Sequence, residues 1–270
     1  MVAHKPVNFL YRAHAPAASK KGGRKREDVS VTAVAWPWTH AIASASEYNA
    51  EIKWWDTRFN HGKRTTAVAF ESSELPQHHI RPFGLNSLTL SHDKSLIYSL
   101  CRDSIVYVWS TRHPWKGPIR AYTHPRLHAS TFYVKTSVSD DGQYLATGSS
   151  DGVALVFPLA EEYFDRNLYS HNFNHPEGSR AWQAAKEMPV GRGVALIRGH
   201  EKEVTDVTWT CRGDLVAISD DYQARCWRAE GHGEDAENMR EGGELEGRRW
   251  GWGWADADPD DSFSAETVGV

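Results

Sequence analysis

Four stretches of the chain repeat one arrangement of apolar and polar positions. An apolar, β-favouring run is followed by a short polar break, a second such run, an Asx residue, and a third run closed by a large aromatic. The third runs end at Trp55, Trp109, Phe157 and Trp227, and six residues earlier stand Asn49, Asp103, Asp151 and Asp221. An Asx side chain bonds nearby backbone amides and tolerates unusual φ, so each marks a tight turn between strands. The second runs are "AIASAS", "SLIYSL", "QYLATGS" and "DLVAIS"; the first are "VTAVAW", "NSLTLS", "TFYVKTSVS" and "VTDVTW". "SDDGQ" (139–143) and "CRGD" (211–214) supply turns between first and second runs.

Strand, turn, strand, Asx turn, strand is the unit of a β-propeller blade, and its repetition predicts an all-β WD-repeat propeller. The blades are expected at 31–58, 84–110, 130–157 and 196–228. A β-sandwich would not explain the shared six-residue offset. Gly199-His200 opens the last repeat as in WD-repeat sequences. There His200, Asp221 and Trp227 are expected to form a buried hydrogen-bond chain through Ser219, which makes them structural residues. Propellers close with roughly 4–8 blades, the WD type commonly with about seven. The chain is therefore expected to be a partial propeller, the C-terminal part of a larger ring, with an open strand edge.

The segments outside the blades differ in character. Residues 1–30 are expected to be a flexible basic segment. Its Lys20, Lys21, Arg24, Lys25 and Arg26 suit either a solvated linker or a nuclear-import signal. Direct nucleic-acid contact is not expected, because the cluster is short and the chain carries a net charge of −4. Residues 158–195 form a long insertion. Within it "SRAWQAAKEM" (179–188) has the composition of a short helix. His171 and His175 stand at i, i+4, but Pro176 and the asparagines argue for a solvated loop over a metal site. The tail 229–270 holds twelve acidic residues against three basic ones, which predicts disorder. Its "WGWGW" is a candidate linear interaction motif.

Composition narrows the function classes. Three cysteines without a CxxC pair give neither a zinc site nor a disulfide framework, and they suit a reducing compartment. No apolar run reaches the roughly 18–20 residues that span a bilayer, and the N-terminus lacks a compact signal-peptide core. A soluble intracellular protein is expected. No phosphate loop, nucleophile elbow or HExxH is present. The pairs Asp140-Asp141 and Asp220-Asp221 fall where propeller turns need Asx residues. The expectation is a non-enzyme without cofactor or metal.

The stretch "STFYVKTSVSDDGQYLATGSSDG" (130–152) resembles the denticleless-type proteins, which are substrate receptors of cullin-4 RING ubiquitin ligases. "GHEKEVTDVTWTCRGDLVAISDDYQARCWR" (199–228) is similar to that family's last blade, and "VTAVAW…IKWWDTR" (31–58) resembles the blade carrying its adaptor-docking motif. The family's W-D-x-R signature matches Trp55, Asp56, Thr57 and Arg58. "WSTR", Trp109 to Arg112, is a second copy without the Asp. The resemblance implies docking to the ligase's β-propeller adaptor through Arg58 and Arg112, and through it to the cullin-RING core. It further implies nuclear replication or cell-cycle substrates, some bound to the replication sliding clamp. The chain departs from the family in lacking its N-terminal blades, in the longer insertion and in the short acidic tail. The residues alone leave a second role open for Arg58, capping its own blade by an internal salt bridge. A general WD-repeat scaffold in chromatin or RNA processing, or a non-functional fragment, are the rival readings.

Overall fold

The computed structural model describes residues 13–14, 29–58, 70–71, 83–165, 188–196 and 199–227. Their secondary structure is strand throughout, apart from two single 3-10 turns. The first sheet runs β1 (Val31–Trp38), β2 (Ala41–Ser46), β3 (Lys53–Asp56) and β4 (Phe70–Glu71), all antiparallel. Pro37 cannot donate to the ladder, and the register of β1 shifts between Ala35 and Trp38. The second blade repeats the order with β5 (Leu85–Leu90), β6 (Leu96–Cys101), β7 (Ile105–Ser110) and β8 (Pro118–Thr123). The third has β9 (Thr136–Val138), β10 (Tyr144–Thr147) and β11 (Ala154–Pro158).

The long insertion 158–195, from which sequence predicts no strand, contributes β12 (Phe164–Asp165), β13 (Val190–Arg192) and most of β14 (Val194–Leu196), whose Leu196 sequence assigns to the fourth blade. Strand β14 completes the third blade by pairing with β11. Strand β13 pairs in parallel with β8 on the outer edge of the second blade, and β12 covers β13 in turn. One run of seven residues thus ties two blades together. It crosses two aromatic rings, and glycines make this possible. A Cβ on Gly191 would stand 2.6 Å from the Tyr122 ring, and one on Gly193 would stand 2.5 Å from that of Phe157. The candidate helix at 179–188 lies outside the described residues up to Glu187, and Met188 is not helical; His171 and His175 also lie outside them. The fourth sheet holds β15 (Val204–Trp209), β16 (Leu215–Ser219) and β17 (Ala224–Trp227).

The inner strands of successive blades lie side by side, β1 against β5, β5 against β9 and β9 against β15. Three apolar layers fill the spaces between blades. Ala43, Ala45 and Trp54 meet Leu85, Ile97 and Trp109; Leu100, Val106 and Val108 meet Leu145, Leu155 and Phe157; Ala154, Val156 and Leu196 meet Leu215, Ala217 and Trp227. Burial on both faces explains the unbroken apolar sequence of β7, "IVYVW". Strand β17, in the last blade, buries only Trp227. Trp55, Trp109, Phe157 and Trp227 all lie on third strands, as the repeat spacing predicts.

The turns follow the same repeat. Lys94, Gly142 and Gly213, between first and second strands, have φ of 57°, 72° and 84°. Ser104, Gly152 and Tyr222, directly after Asp103, Asp151 and Asp221, have φ of 69°, 74° and 67°. The Asx residues therefore precede a left-handed position in three blades. The backbone N–H groups of Ile105 and Gln223 donate back to Asp103 and Asp221.

Candidate protein-docking site

The third strands of the first two blades end in the same way. Trp55 pairs across the ladder with Ile42, and Trp109 with Ile97. Both indoles are buried. Trp55 Nε1 donates to Ser44 Oγ at 2.7 Å, and Trp109 Nε1 to Ser99 Oγ at 2.8 Å. Two residues on, Thr57 N–H donates to the His40 carbonyl at 2.8 Å and Thr111 N–H to that of Ser95 at 2.9 Å. Arg58 and Arg112 follow immediately, both exposed. The ladder fixes the tryptophan inward, and the chain then turns outward at the same end of both blades.

The two arginines differ in their surroundings. Asp56 Oδ1 accepts the Arg58 N–H at 2.9 Å, and the carboxylate also takes Arg58 Nε at 3.0 Å and Nη2 at 2.5 Å. The guanidinium's hydrogen bonds hold the Asp56 carboxyl down to about 2. The Arg58 side chain is still 63% exposed. It forms the rim of an open groove of about 380 Å³ with Trp38, Thr39, His40, Ala41 and Asp56. Trp38 lies over Trp54, with ring centroids 5.5 Å apart, and remains partly exposed. Sequence reasoning missed Trp38 and His40 as groove residues. Trp38 ends β1 and His40 lies in the turn that follows, where the repeat marks only the turn itself. Arg112 has Ser110 where Arg58 has Asp56, and no carboxylate partner among the described residues.

The structural residues mostly occupy their expected places. His200 Nδ1 lies 3.0 Å from Asp221 Oδ2. Ser219 is not the relay to Trp227. The position that pairs like Ser99 and Ser44 is held by Ala217, because Leu215 opposes Trp227 just as Ile97 opposes Trp109. The Ser219 hydroxyl donates instead to the Lys202 carbonyl and accepts the Asp221 N–H. In the third blade Thr147 takes the same position. Phe157 has nothing to donate, so Thr147 Oγ1 turns to the Lys135 carbonyl. Asp103 accepts the Tyr107 hydroxyl at 2.8 Å, and burial pushes its carboxyl up to about 6. Asp151 accepts Arg126 Nε at 2.8 Å, and Asn49 accepts the Ser46 hydroxyl at 3.1 Å.

One histidine in the segment that sequence assigned to a flexible N-terminus is anchored. His14 Nε2 lies 2.8 Å from Ser44 Oγ, and its ring stands edge-on to Trp55 at 6.4 Å. It thus belongs to the first blade. Burial first, and Lys53 second, depress its pKa to about 4. The cluster Lys20, Lys21, Arg24, Lys25 and Arg26 lies outside the described residues. No group of three potential metal ligands occurs among the described residues. No helix among them is long and apolar enough to cross a membrane.

Comparison with known proteins adds the family. The model of the WD domain, G-beta repeat, matches residues 123–157 and 191–228, which contain the third and fourth blades. The chain is 34% identical over 254 residues to Cell division cycle protein cdt2 of Schizosaccharomyces pombe, across 92% of its own length. It is 31% identical over 212 residues to Denticleless protein homolog B of Xenopus laevis and 30% identical over 203 residues to the human Denticleless protein homolog. This chain is a denticleless-type WD-repeat protein. It spans 44% of the fission-yeast relative and about a quarter of the frog and human ones. In this denticleless-type chain the WD-repeat match takes in the blade with His200 but not the W-D-x-R blade, which the fission-yeast alignment reaches through its 92% coverage.

Proposed function

We propose that this chain is a non-catalytic substrate-recognition element of a cullin-4 RING ubiquitin ligase. In this reading the Arg58 and Arg112 end docks on the ligase's β-propeller adaptor, and another surface holds a protein substrate. Ubiquitination follows from proximity: a tethered receptor raises the local concentration of substrate lysines near the charged conjugating enzyme. The substrates are nuclear replication or cell-cycle proteins, including ones bound to the sliding clamp, and degradation by the proteasome follows. A nuclear address accompanies the reading, with Lys20 to Arg26 as its candidate signal.

One observation carries most of the weight. The same buried-tryptophan, outward-arginine turn occurs at one end of two adjacent blades, beside an open groove. The buried tryptophans fix the turn, while the exposed arginines and the partly exposed Trp38 of the groove are of the residue types enriched at interface hot spots. The decisive experiment is a binding measurement between purified adaptor and the full chain, beside a thermal melt. The Arg58→Ala/Arg112→Ala variant should lose at least thirtyfold in affinity, about 2 kcal/mol or more. Its melt should be unchanged. Normal binding by the double variant would remove both arginines from the docking contact; a folded wild-type chain that does not bind the adaptor would leave a general WD-repeat scaffold as the better reading.

A further inference from the structure

The opposite end of the blades carries a second set of exposed rings. The loop leading into the start of β9 presents Phe132 and Tyr133, 47% and 56% exposed, with ring centroids 4.1 Å apart. The Arg58 groove lies instead where β1 ends at Trp38. The two features thus occupy opposite ends of the inner strands. Adjoining apolar rings left in water mark interaction surfaces.

The loop is braced in this position by three blades. Asn86, on β5, donates its side-chain amide to the carbonyls of Ala129 and Thr131 at 3.1 and 2.6 Å. The Ser130 hydroxyl lies 2.9 Å from that of Ser150 in the third blade. Thr131 Oγ1 donates to Glu203 in the fourth at 2.6 Å. Rings on a fixed loop lose little conformational entropy on binding. A third ring stands nearby. Asp220 N–H donates to the Glu203 carbonyl at 3.0 Å, which joins the next turn to the loop. In that turn Tyr222 is 95% exposed at φ 67°, where the equivalent positions hold the smaller Ser104 and Gly152. Bulky side chains rarely adopt this conformation, and such positions cluster at functional sites.

Charge selects what fits. In the turns of the second, third and fourth blades at this end, acids outnumber bases. Every base there is engaged. Arg102 donates to the Ser130 carbonyl, Arg126 pairs with Asp151, and Lys135 donates to the carbonyls of Asn86 and Phe132. Lys202 sits over the Tyr222 ring at 5.5 Å. Beyond the turns, Arg225 is held by Gln223, and Asp206 faces Lys135. Among the acids, Asp103 holds Tyr107 and Asp221 holds His200. Glu203 accepts only neutral hydroxyls, from Thr131 and Ser150, and so keeps its charge uncompensated. Glu201 and Asp220 have no side-chain partner among the described residues. Building on the receptor reading, we propose that the Phe132–Tyr133 end is the substrate surface. It takes a protein segment that presents an apolar side chain beside Lys or Arg, the rings covering the one and Glu201, Glu203 and Asp220 facing the other.

The test pans a random-peptide phage library against the immobilised full chain. Peptides recovered on the wild type should be enriched in Lys or Arg next to an apolar residue. Phe132→Ser/Tyr133→Ser should cut that recovery roughly tenfold or more, as loss of an aromatic anchor does. Glu201→Lys/Asp220→Lys should turn the preference toward Asp and Glu, because like charges repel across an interface. Both variants should keep the wild-type melt and adaptor affinity. A wild-type pool without basic enrichment, or recovery that survives loss of both rings, overturns the surface. Adaptor binding by a chain that enriches no such peptides overturns the surface and leaves the receptor reading standing. A chain that enriches them through these residues but does not bind the adaptor supports the surface and overturns the receptor reading.

Discussion

The first and second blades are built on one plan and diverge at a few side chains. Each buries a tryptophan on its third strand, satisfies the indole with a serine on the second, and turns out to an arginine. The backbone geometry is common because strand pairing sets it. The charge that reaches the surface is not common, because one residue decides it: Asp56 closes on Arg58, and Ser110 does not close on Arg112. The interiors diverge too. The first blade uses Asn49, which cannot titrate, with a buried neutral His14, whereas the second uses the half-buried acid Asp103. A repeat can thus conserve its architecture while giving each copy a different electrostatic character.

The largest expected effect tests the shared part of the plan. Trp109 lies in the layer between two blades, while Trp55 turns away from the second blade toward His14. Truncating either to alanine should destabilise by about 3–5 kcal/mol, as for other buried aromatics. Trp109→Ala should be the more damaging in urea unfolding, because its cavity opens between two sheets. Equal midpoints for the two variants would show that the N-terminal segment backs Trp55 as firmly as a blade backs Trp109.

A second, smaller effect tests the divergent interiors through pH. Below pH about 6, native Asp103 holds a proton that the unfolded chain releases down to its ordinary value near 3.8. Its contribution is therefore complete below that lower value and lost as pH rises to about 6. His14 has the opposite sign. Its native pKa of about 4 lies below the ordinary 6.5, so its contribution is complete above 6.5 and lost as pH falls toward 4. The two oppose each other in the intact protein. Asp103→Asn, which copies Asn49 into the second blade, should remove one side of the balance. Urea midpoints of that variant should then rise from pH 4.5 to 6.5 more steeply than those of the wild type. Parallel curves would mean that Asp103 does not titrate in this window.

The smallest effect tests the surface. Ser110→Asp gives the second blade the carboxylate of the first and should close Arg112 onto it. Exposed ion pairs contribute about 0–1 kcal/mol, so the melt should barely move. Adaptor affinity should fall, in the direction of the Arg58→Ala/Arg112→Ala variant. Unchanged affinity would show that a neighbouring carboxylate does not mask the arginine.

Much of the fold was legible because its signal is periodic. The six-residue interval from Asx to aromatic placed all four third strands, and it works because turn and strand lengths are fixed within a blade. The outer strands carried no such signal. Strand β14 is only Val194–Leu196 and reaches β11 after a long insertion, so its partner is set by tertiary pairing rather than local pattern. The substitution of Ala217 for Ser219 in the fourth blade is a register question. Two positions along a strand share a face, and only the cross-strand partner separates them. His14 was missed because Ala13 precedes it, not the glycine that marks His200. A histidine upstream of a first strand was the available clue. The Asp56–Arg58 closure was foreseen as one of two roles for Arg58, and proximity in sequence made it visible. Trp115, exposed on the 3-10 turn Pro114–Lys116 beyond Arg112, owes that exposure to a turn geometry that no repeat encodes.

The run from Val190 to Leu196 also sets a timetable for the nascent chain. Strands β8 and β11 are made long before the residues that cover their edges. At about 5–20 residues per second, synthesis leaves those edges bare for times on the order of seconds. Bare strand edges recruit other chains. In a crowded cell, the second and third blades are most exposed to mispairing in the interval before Gly191 and Gly193 leave the ribosome. Slowing translation within the insertion would lengthen that interval, and shortening the insertion would reduce it.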